Sequence, residues 1–286
     1  MNNLRFIIKK KLASMARSIR EMSNTQLLLQ NEYVRLHEEI LSKMPNNPAG
    51  YGYKSYSQCD EDGIIANIFS KIGEKSRIFM EIGCGDGLEN NTHLLAIKGW
   101  EGSWIDANHQ KIEHIKRAVP NNKKLKVVEA LVTEENVCGL AADALHDHRD
   151  KLIDFFSIDI DSNDLDVLLK LLDYTSPRVI CVEYNPKFYP PFKISVKSKT
   201  SGWSGDDYHG ASLSAFADCL KFRGYALVAC SLSGVNAFFV HNDEAHHFGA
   251  YSVEAIYQPA RYYLRRLESG HHPSLKFLAD SLRLRD

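Results

Sequence analysis

At 286 residues, with 44% hydrophobic positions and a formal net charge of -1, the chain has room for one sizeable folded domain plus an accessory segment. The balanced charge gives no global pull towards nucleic acid or an anionic membrane. Its six cysteines, Cys59, Cys84, Cys138, Cys181, Cys219 and Cys230, form no Cys-x-x-Cys pair, which argues for reduced core thiols and against a disulfide framework or zinc site.

The first predicted element is a long helix. Ile8, Leu12, Met15, Ile19, Met22, Gln26, Leu29, Tyr33, Leu36 and Ile40 follow alternating steps of four and three and are apolar apart from Gln26. That is a heptad seam ending before Pro45 and Pro48, and it predicts homo-oligomerisation through residues 1–50. An amphipathic helix lying on its own domain is the plainer alternative. Arg5, Lys9, Lys10, Lys11, Arg17 and Arg20, with no acid among them, also suit peripheral contact with an anionic membrane, a reading ranked below oligomerisation because the heptad runs well past them. Asn46, Asn47, Pro48 and Gly50 read as a linker. No apolar run approaches a membrane span and no signal-peptide core opens the sequence, so a cytoplasmic location is expected.

From about Ser55 strand and helix patterns alternate, predicting an α/β domain over 51–245 with a mostly parallel sheet, followed by a helical cap over 246–286. Strands are expected near 78–82, 102–106, 126–130, 153–159 and 178–184. Tyr225–Cys230 and Asn236–His241, joined by Ser231-Leu-Ser-Gly234, form an antiparallel hairpin at one sheet edge.

The first strand runs into Glu81-Ile-Gly83-Cys-Gly85-Asp86-Gly87, and the next ends in Trp104-Ile-Asp106. An apolar strand, a glycine turn and an acid at the end of the neighbouring strand are the layout of a nucleoside pocket, the acid accepting ribose hydroxyls. Leu88 stands where a dinucleotide fingerprint wants Gly or Ala, and Asp86 and Glu89 would repel a pyrophosphate. These acids suit a ligand bearing an amine and a sulfonium. The pattern resembles motif I of the class I S-adenosylmethionine (SAM) methyltransferases, and the five parallel strands closed by a hairpin resemble their Rossmann-like sheet. The resemblance implies that Glu81, Gly83, Gly85 and Asp86 hold the methionine part and Asp106 the ribose.

Ligands of open α/β sheets bind outside the carboxyl ends of the strands. There the fourth strand ends Ser157-Ile-Asp159-Ile-Asp161-Ser-Asn163-Asp164, and the fifth ends Val182-Glu183-Tyr184-Asn185. Such oxygen donors suit Mg²⁺ or Mn²⁺, or else they cap the following helix. Asp159-x-Asp161-x-Asn163 opens like a calcium loop but lacks its glycine and distal Glu. Metal-dependent methyltransferases such as the catechol and sugar enzymes carry acidic and amide ligands at these strand ends. By that resemblance Asp159, Asp161, Glu183 and Asn185 are the metal candidates. The long segment from Pro186 to Ala211 holds Lys187, Tyr189, Lys193, Lys197, Lys199, Trp203, Asp206, Asp207, Tyr208 and His209, which suit a sugar carried on a nucleotide diphosphate; a helix should start near Ser212. His209 is the candidate base, or a further metal ligand.

Ser57-Gln58, Glu61-Asp62-Gly63, Gly85-Asp86-Gly87-Leu-Glu-Asn90-Asn91-Thr92, Gly99-Trp100, Ser157-Ile-Asp159-Ile-Asp161, Val182-Glu183-Tyr184-Asn185, Gly210-Ala-Ser-Leu213 and Asn236-Ala-Phe-Phe-Val240 together resemble the FkbM-like SAM methyltransferases over 55–241. Cys59-Asp60 departs from that pattern. The resemblance implies that Gln58 and Asn91 reach the amino-acid end of SAM. It also implies an O-methyltransferase acting on a sugar hydroxyl of a nucleotide-activated sugar or glycan for capsule or lipopolysaccharide, assisted by the divalent metal, with His209 and Asp159 as catalytic groups. The rivals are a metal-independent enzyme and a non-catalytic SAM-binding scaffold assembled by the N-terminal helix. A nucleic-acid methyltransferase is disfavoured, since Asn185-Pro186 is only a fragment of a base-flipping motif.

Overall fold

The computed structural model describes residues 2–120, 122–145, 152–197, 203–266 and 270–283. Lys199, singled out above, lies outside them.

The strands are β1 (Ile78–Ile82), β2 (Glu101–Asp106), β3 (Leu125–Glu129), β4 (Phe155–Ile158), β5 (Val179–Glu183), β6 (Tyr225–Cys230) and β7 (Asn236–His241). They form one sheet in the order β3-β2-β1-β4-β5-β7-β6. The first five are parallel, while β7 runs antiparallel between β5 and β6. This is the Rossmann-like sheet, five parallel strands closed by an antiparallel edge hairpin, expected from the sequence. The chain reverses direction between β1 and β4, so their carboxyl ends diverge and leave a crevice there.

The helices are α1 (Asn2–Lys43), α2 (Glu61–Ile72), α3 (His93–Ile97), α4 (His109–Ala118), α5 (Val137–Ala144), α6 (Asp164–Leu171), α7 (Leu213–Phe222), α8 (Val253–Ile256) and α9 (Lys276–Arg283). Ser212 caps α7 by accepting from the Ala215 N–H, which places the start where the sequence put it. The central strands β1, β4 and β5 are apolar along almost their whole length because helices cover both faces. Trp100, Trp104, Phe79, Phe155 and Phe156 fill the layers beside them.

The base of α1 is built into this core. Leu36, Ile40 and Met44 are buried with the domain's own residues, and the Tyr33 hydroxyl donates to the Gly52 carbonyl at 3.1 Å. Residues 46–50, read as a linker, are packed instead. Pro48–Tyr51 make a 3-10 turn capped by Asn47, and Asn47 through Gly50 are buried. The heptad stripe thus serves the domain at Leu36 and Ile40, whereas Met15 is 61% exposed. Among the described residues no helix is long and apolar enough to cross a membrane.

At the end of the sheet away from the crevice, Arg178 is 3% exposed and ties four segments together. Its guanidinium donates to Asp154, to Glu244 and to the carbonyls of Ile72 and Gly73 at 2.8–3.1 Å. Asp154 in turn accepts from the Lys75 and Arg77 N–H groups. Removing one partner of such a cluster strands a buried charge, at a cost of about 3–5 kcal/mol. Arg178→Ala should therefore lower the unfolding free energy by that amount in a denaturant titration, and a loss below about 1 kcal/mol would refute the assignment.

Candidate active site

The β1 turn is held by hydrogen bonds to β2. The Gly83 and Cys84 N–H groups donate to the Ile105 carbonyl at 2.8 and 3.3 Å, and the Gly85 N–H donates to Asp106 at 2.8 Å. Gly83, Gly85 and Gly87 all have positive φ. Their reasons for being glycine differ. A Cβ on Gly83 would stand 1.6 Å from the Asp159 carbonyl oxygen, and one on Gly87 would stand 2.8 Å from the Trp104 ring. Only Gly85 opens onto free space, with nothing nearer than the Lys111 ammonium at 3.8 Å.

Glu81, at the inner end of the turn, is 4% exposed. Its carboxylate accepts from the Asn91 N–H, the Thr92 N–H and the Asn90 Nδ2 at 2.8–3.1 Å, and also from the Thr92 hydroxyl. Burial pushes its carboxyl above the usual range, and these donors pull the other way. Asn91 lines the cleft beside Asn90. Its Nδ2 donates to the Ser157 hydroxyl at 3.0 Å and lies against the Cys181 sulfur, while the Asn90 Oδ1 is buried without a hydrogen-bond partner.

The segment 55–62 is organised by three buried acids. Asp62 accepts from the N–H groups of Ser55, Tyr56 and Ser57; Glu61 accepts from the Cys59 N–H and Asn236 Nδ2; Asp60 accepts from the Leu232 N–H. Asp60, where the sequence departs from the family pattern, thereby fastens this segment to the β6–β7 hairpin. Gln58 is carried to the edge of the cleft.

The cleft has two lobes that share Gly83, Asp106, Lys111, Asp159 and Asp161. A polar lobe of about 370 Å³ is walled by Gln58, Glu81, Gly85, Asp86, Asn90 and Asn236. A second lobe of about 520 Å³ lies between Ile105–Asn108 and Ala130–Glu135, with Trp203 at its rim. Both volumes suit a small molecule. Asp106 stands at the junction, its oxygens accepting from Gly85 and Asn108 with lone pairs to spare for hydroxyl donors. The loop after β3 was not singled out in the sequence because its part in the wall is played by Ala130, Leu131, Val132 and main chain, which carry no motif.

Beside the junction lies the acid cluster. Asp164, the first residue of α6, holds the preceding loop by accepting from the Ile160 and Ser162 N–H groups at 2.8 and 3.0 Å. Asp159 and Asp161 are left facing the cleft, Asp161 with a left-handed φ of 53°. Burial, with Asp161 and Asp164 adding repulsion, pushes the Asp159 carboxyl up to about 7. Burial and then the charge of Asp159 hold Glu183 well above the carboxylate range. Ligand atoms of Asp161, Glu183 and His209 all lie within 4.8 Å of one another. His209 Nδ1 has no hydrogen-bond partner, and its ring sits edge-on to Trp203 at 5.8 Å.

Asn185 stands outside that group. Its Nδ2 donates to the Asp207 and His209 carbonyls at 3.0 and 3.1 Å, and its Oδ1 accepts from the Lys187 N–H. The side chain expected to bind a metal instead shapes the loop that presents His209. The C-terminal segment, which had no assigned role, crosses the same end of the sheet: Arg265 lies under the Tyr262 ring at 5.0 Å and opposes the rise in the Asp159 pKa.

No family model and no curated protein matches this chain. Solved structures share the sheet at low identity. Magnesium protoporphyrin IX methyltransferase from Synechocystis PCC 6803, with bound SAH, is 10% identical with a TM-score of 0.41 over 63% of this chain and 81% of that one. An S-adenosylmethionine-dependent methyltransferase from Clostridium acetobutylicum ATCC 824 is 11% identical with a TM-score of 0.39 over 74% and 98%. A TehB-like SAM-dependent methyltransferase from Corynebacterium glutamicum ATCC 13032 is 11% identical with a TM-score of 0.35 over 74% and 97%. At this distance no activity transfers from them, and the functional reading rests on the cleft.

Proposed function

We propose that the chain is a SAM-dependent O-methyltransferase of the FkbM-like type, acting on a sugar hydroxyl of a nucleotide-activated sugar or glycan in the cytoplasm. The observation that supports it is the two-lobed cleft with Asp106 at its junction, opening beside Asp159, whose carboxyl is raised to about 7. The residues fit the cofactor: a polar lobe rich in acceptors for the amino-acid end, Asp106 for the ribose, and the wall of Ala130 to Val132 for the base. When bound, SAM supplies a methyl group activated by its sulfonium.

The chain's own part is to place the acceptor oxygen in line with that methyl group and to take a proton. Positioning of this kind is worth about 7–11 kcal/mol of barrier. Asp159, half-buried and with its carboxyl near 7, is the base for the hydroxyl proton, with His209 on the other side of the cluster. Asp161, Glu183 and His209 would hold Mg²⁺ or Mn²⁺, which would acidify a bound hydroxyl. At the rim Trp203 is more than half exposed and offers a flat face to a sugar ring. Lys187 and Lys193 pair with Asp207 and Asp218, so the diphosphate of a nucleotide sugar would compete with these acids. The outer part of α1 brings copies of the chain together through its heptad stripe.

The test is calorimetric titration of S-adenosylhomocysteine into the protein with Mg²⁺ and again after chelation, followed by a methyl-transfer screen over glycosyl acceptors. Micromolar binding is expected, weakened at least about tenfold in Asp106→Ala by loss of hydrogen bonds to a charged acceptor. No binding in either condition would sink the reading.

A further inference from the structure

We infer that Trp203 is a positioning residue for His209 and links the orientation of that imidazole to occupancy of the second lobe; this rests on the proposed reading of the cleft as a SAM site. Trp203 lines the second lobe and is 52% exposed. The same ring meets the His209 imidazole edge-on, with centroids 5.8 Å apart and planes at 63°. One side chain therefore borders both the space for the methyl donor and a member of the acid cluster.

The His209 ring needs such a neighbour. Its main chain is pinned, because Asn185 Nδ2 donates to the His209 carbonyl at 3.1 Å and the Gly210 N–H donates to the Ser162 carbonyl at 2.8 Å. The ring itself turns about a soft sp³–sp² bond, and its Nδ1 is buried with no hydrogen-bond partner to stop that turning. In the orientation it holds, a ring nitrogen lies within 4.8 Å of oxygens of Asp161 and Glu183. An edge-to-face contact biases such a rotation by about two- to tenfold. Trp203 is tied to the same stretch of loop. Its Nε1–H donates to the Asp206 carbonyl at 2.5 Å, across Gly205, whose φ of 87° and open surroundings let the chain fold back there. Asp207 is held in turn by the Lys187 ammonium and by Asn185 Nδ2. Indole and imidazole thus sit on one short, cross-braced turn, and a ligand that packs on the first bears on the second.

S-adenosylhomocysteine is titrated into wild type, Trp203→Leu and Trp203→Phe, with calorimetry for binding, tryptophan emission for the indole and proton resonances for the His209 ring. Those resonances are identified among the twelve histidines by their absence in His209→Gln. Binding should change wild-type emission, and the change should vanish in both variants, since Trp100 and Trp104 are 1% and 0% exposed. Saturating ligand should also shift the His209 resonances of wild type, shift them far less in Trp203→Leu, and shift them again in Trp203→Phe, which restores a ring beside the imidazole. The variants should bind no more than about tenfold more weakly than wild type, the reach of one aromatic contact, so saturation is attainable in all three. Wild-type binding with no change in emission, no His209 shift in wild type, or a shift as large in Trp203→Leu overturns the inference and leaves the cofactor reading standing. Wild type failing to bind overturns that reading, and the inference with it.

Discussion

Gly83→Ala is expected to cost about 4 kcal/mol or more of folding stability, at the far end of what single substitutions do. The added methyl would lie 1.6 Å from the Asp159 carbonyl oxygen, well inside van der Waals contact, and that carbonyl belongs to the main chain leaving a central strand. It cannot swing aside as a side chain would. A φ of 85° adds the left-handed penalty of about 1–2 kcal/mol that an L residue pays. Gly85→Ala supplies the contrast. It has a positive φ of 59° but open space around the new carbon, so only the conformational cost of about 1–2 kcal/mol should appear. Denaturant titration of the two variants separates the explanations, and equal costs would show that crowding against Asp159 is not what makes Gly83 a glycine.

The second large effect is on turnover and its pH dependence. Asp159→Asn should lower kcat about 10²- to 10⁴-fold, the range for losing a positioned base, with little change in S-adenosylhomocysteine affinity. In wild type kcat/KM should rise with pH through about 7 as Asp159 gives up its proton. Asp161→Asn removes one of the charges that raise Asp159, so its profile should move to lower pH. Stability should move the opposite way to activity. Because the folded carboxyl sits above its ordinary value of 3.8, the folded chain holds more protons than the unfolded chain between that range and about pH 7. Stability therefore falls as pH rises through this window. Asp159→Asn should flatten the fall, leaving the part due to Asp60, Asp62, Glu81 and Asp164, which burial also raises. A wild-type profile with no step near neutrality would remove Asp159 as the base.

The strands were legible because each is a short apolar run that ends at a glycine or an acid, and the observed bounds fall within a residue or two of those read from Ile78, Glu101, Leu125 and Val179. The hairpin was legible from Ser231 to Gly234, whereas its placement, with β7 rather than β6 beside β5, depends on tertiary pairing. At the site the sequence pointed to the correct strand ends and could not say which way amides turn. Asn90 and Asn91 are chemically identical neighbours that both line the cleft, and only the positions of Glu81 and Ser157 decide which way each amide nitrogen turns. Asn185 could not be placed for the same reason, since the loop whose carbonyls its amide binds must close first. Tyr262 and Arg265 lie in a stretch without periodicity, and no local signal carries them to the acids of β4 and β5.

Asp159 stands in two neighbourhoods at once. Its carbonyl packs on the glycine turn of β1, where the methyl donor would sit, and its carboxyl meets Glu183, where the acceptor would sit. The spacing between the two halves of the reaction is consequently spanned by the bonds of a single amino acid. Bond lengths and angles deform little under thermal load, whereas packed elements can slide against one another. Motions of the rim loops, of α1 or of the C-terminal segment can open or close the mouth of the cleft without altering that gauge.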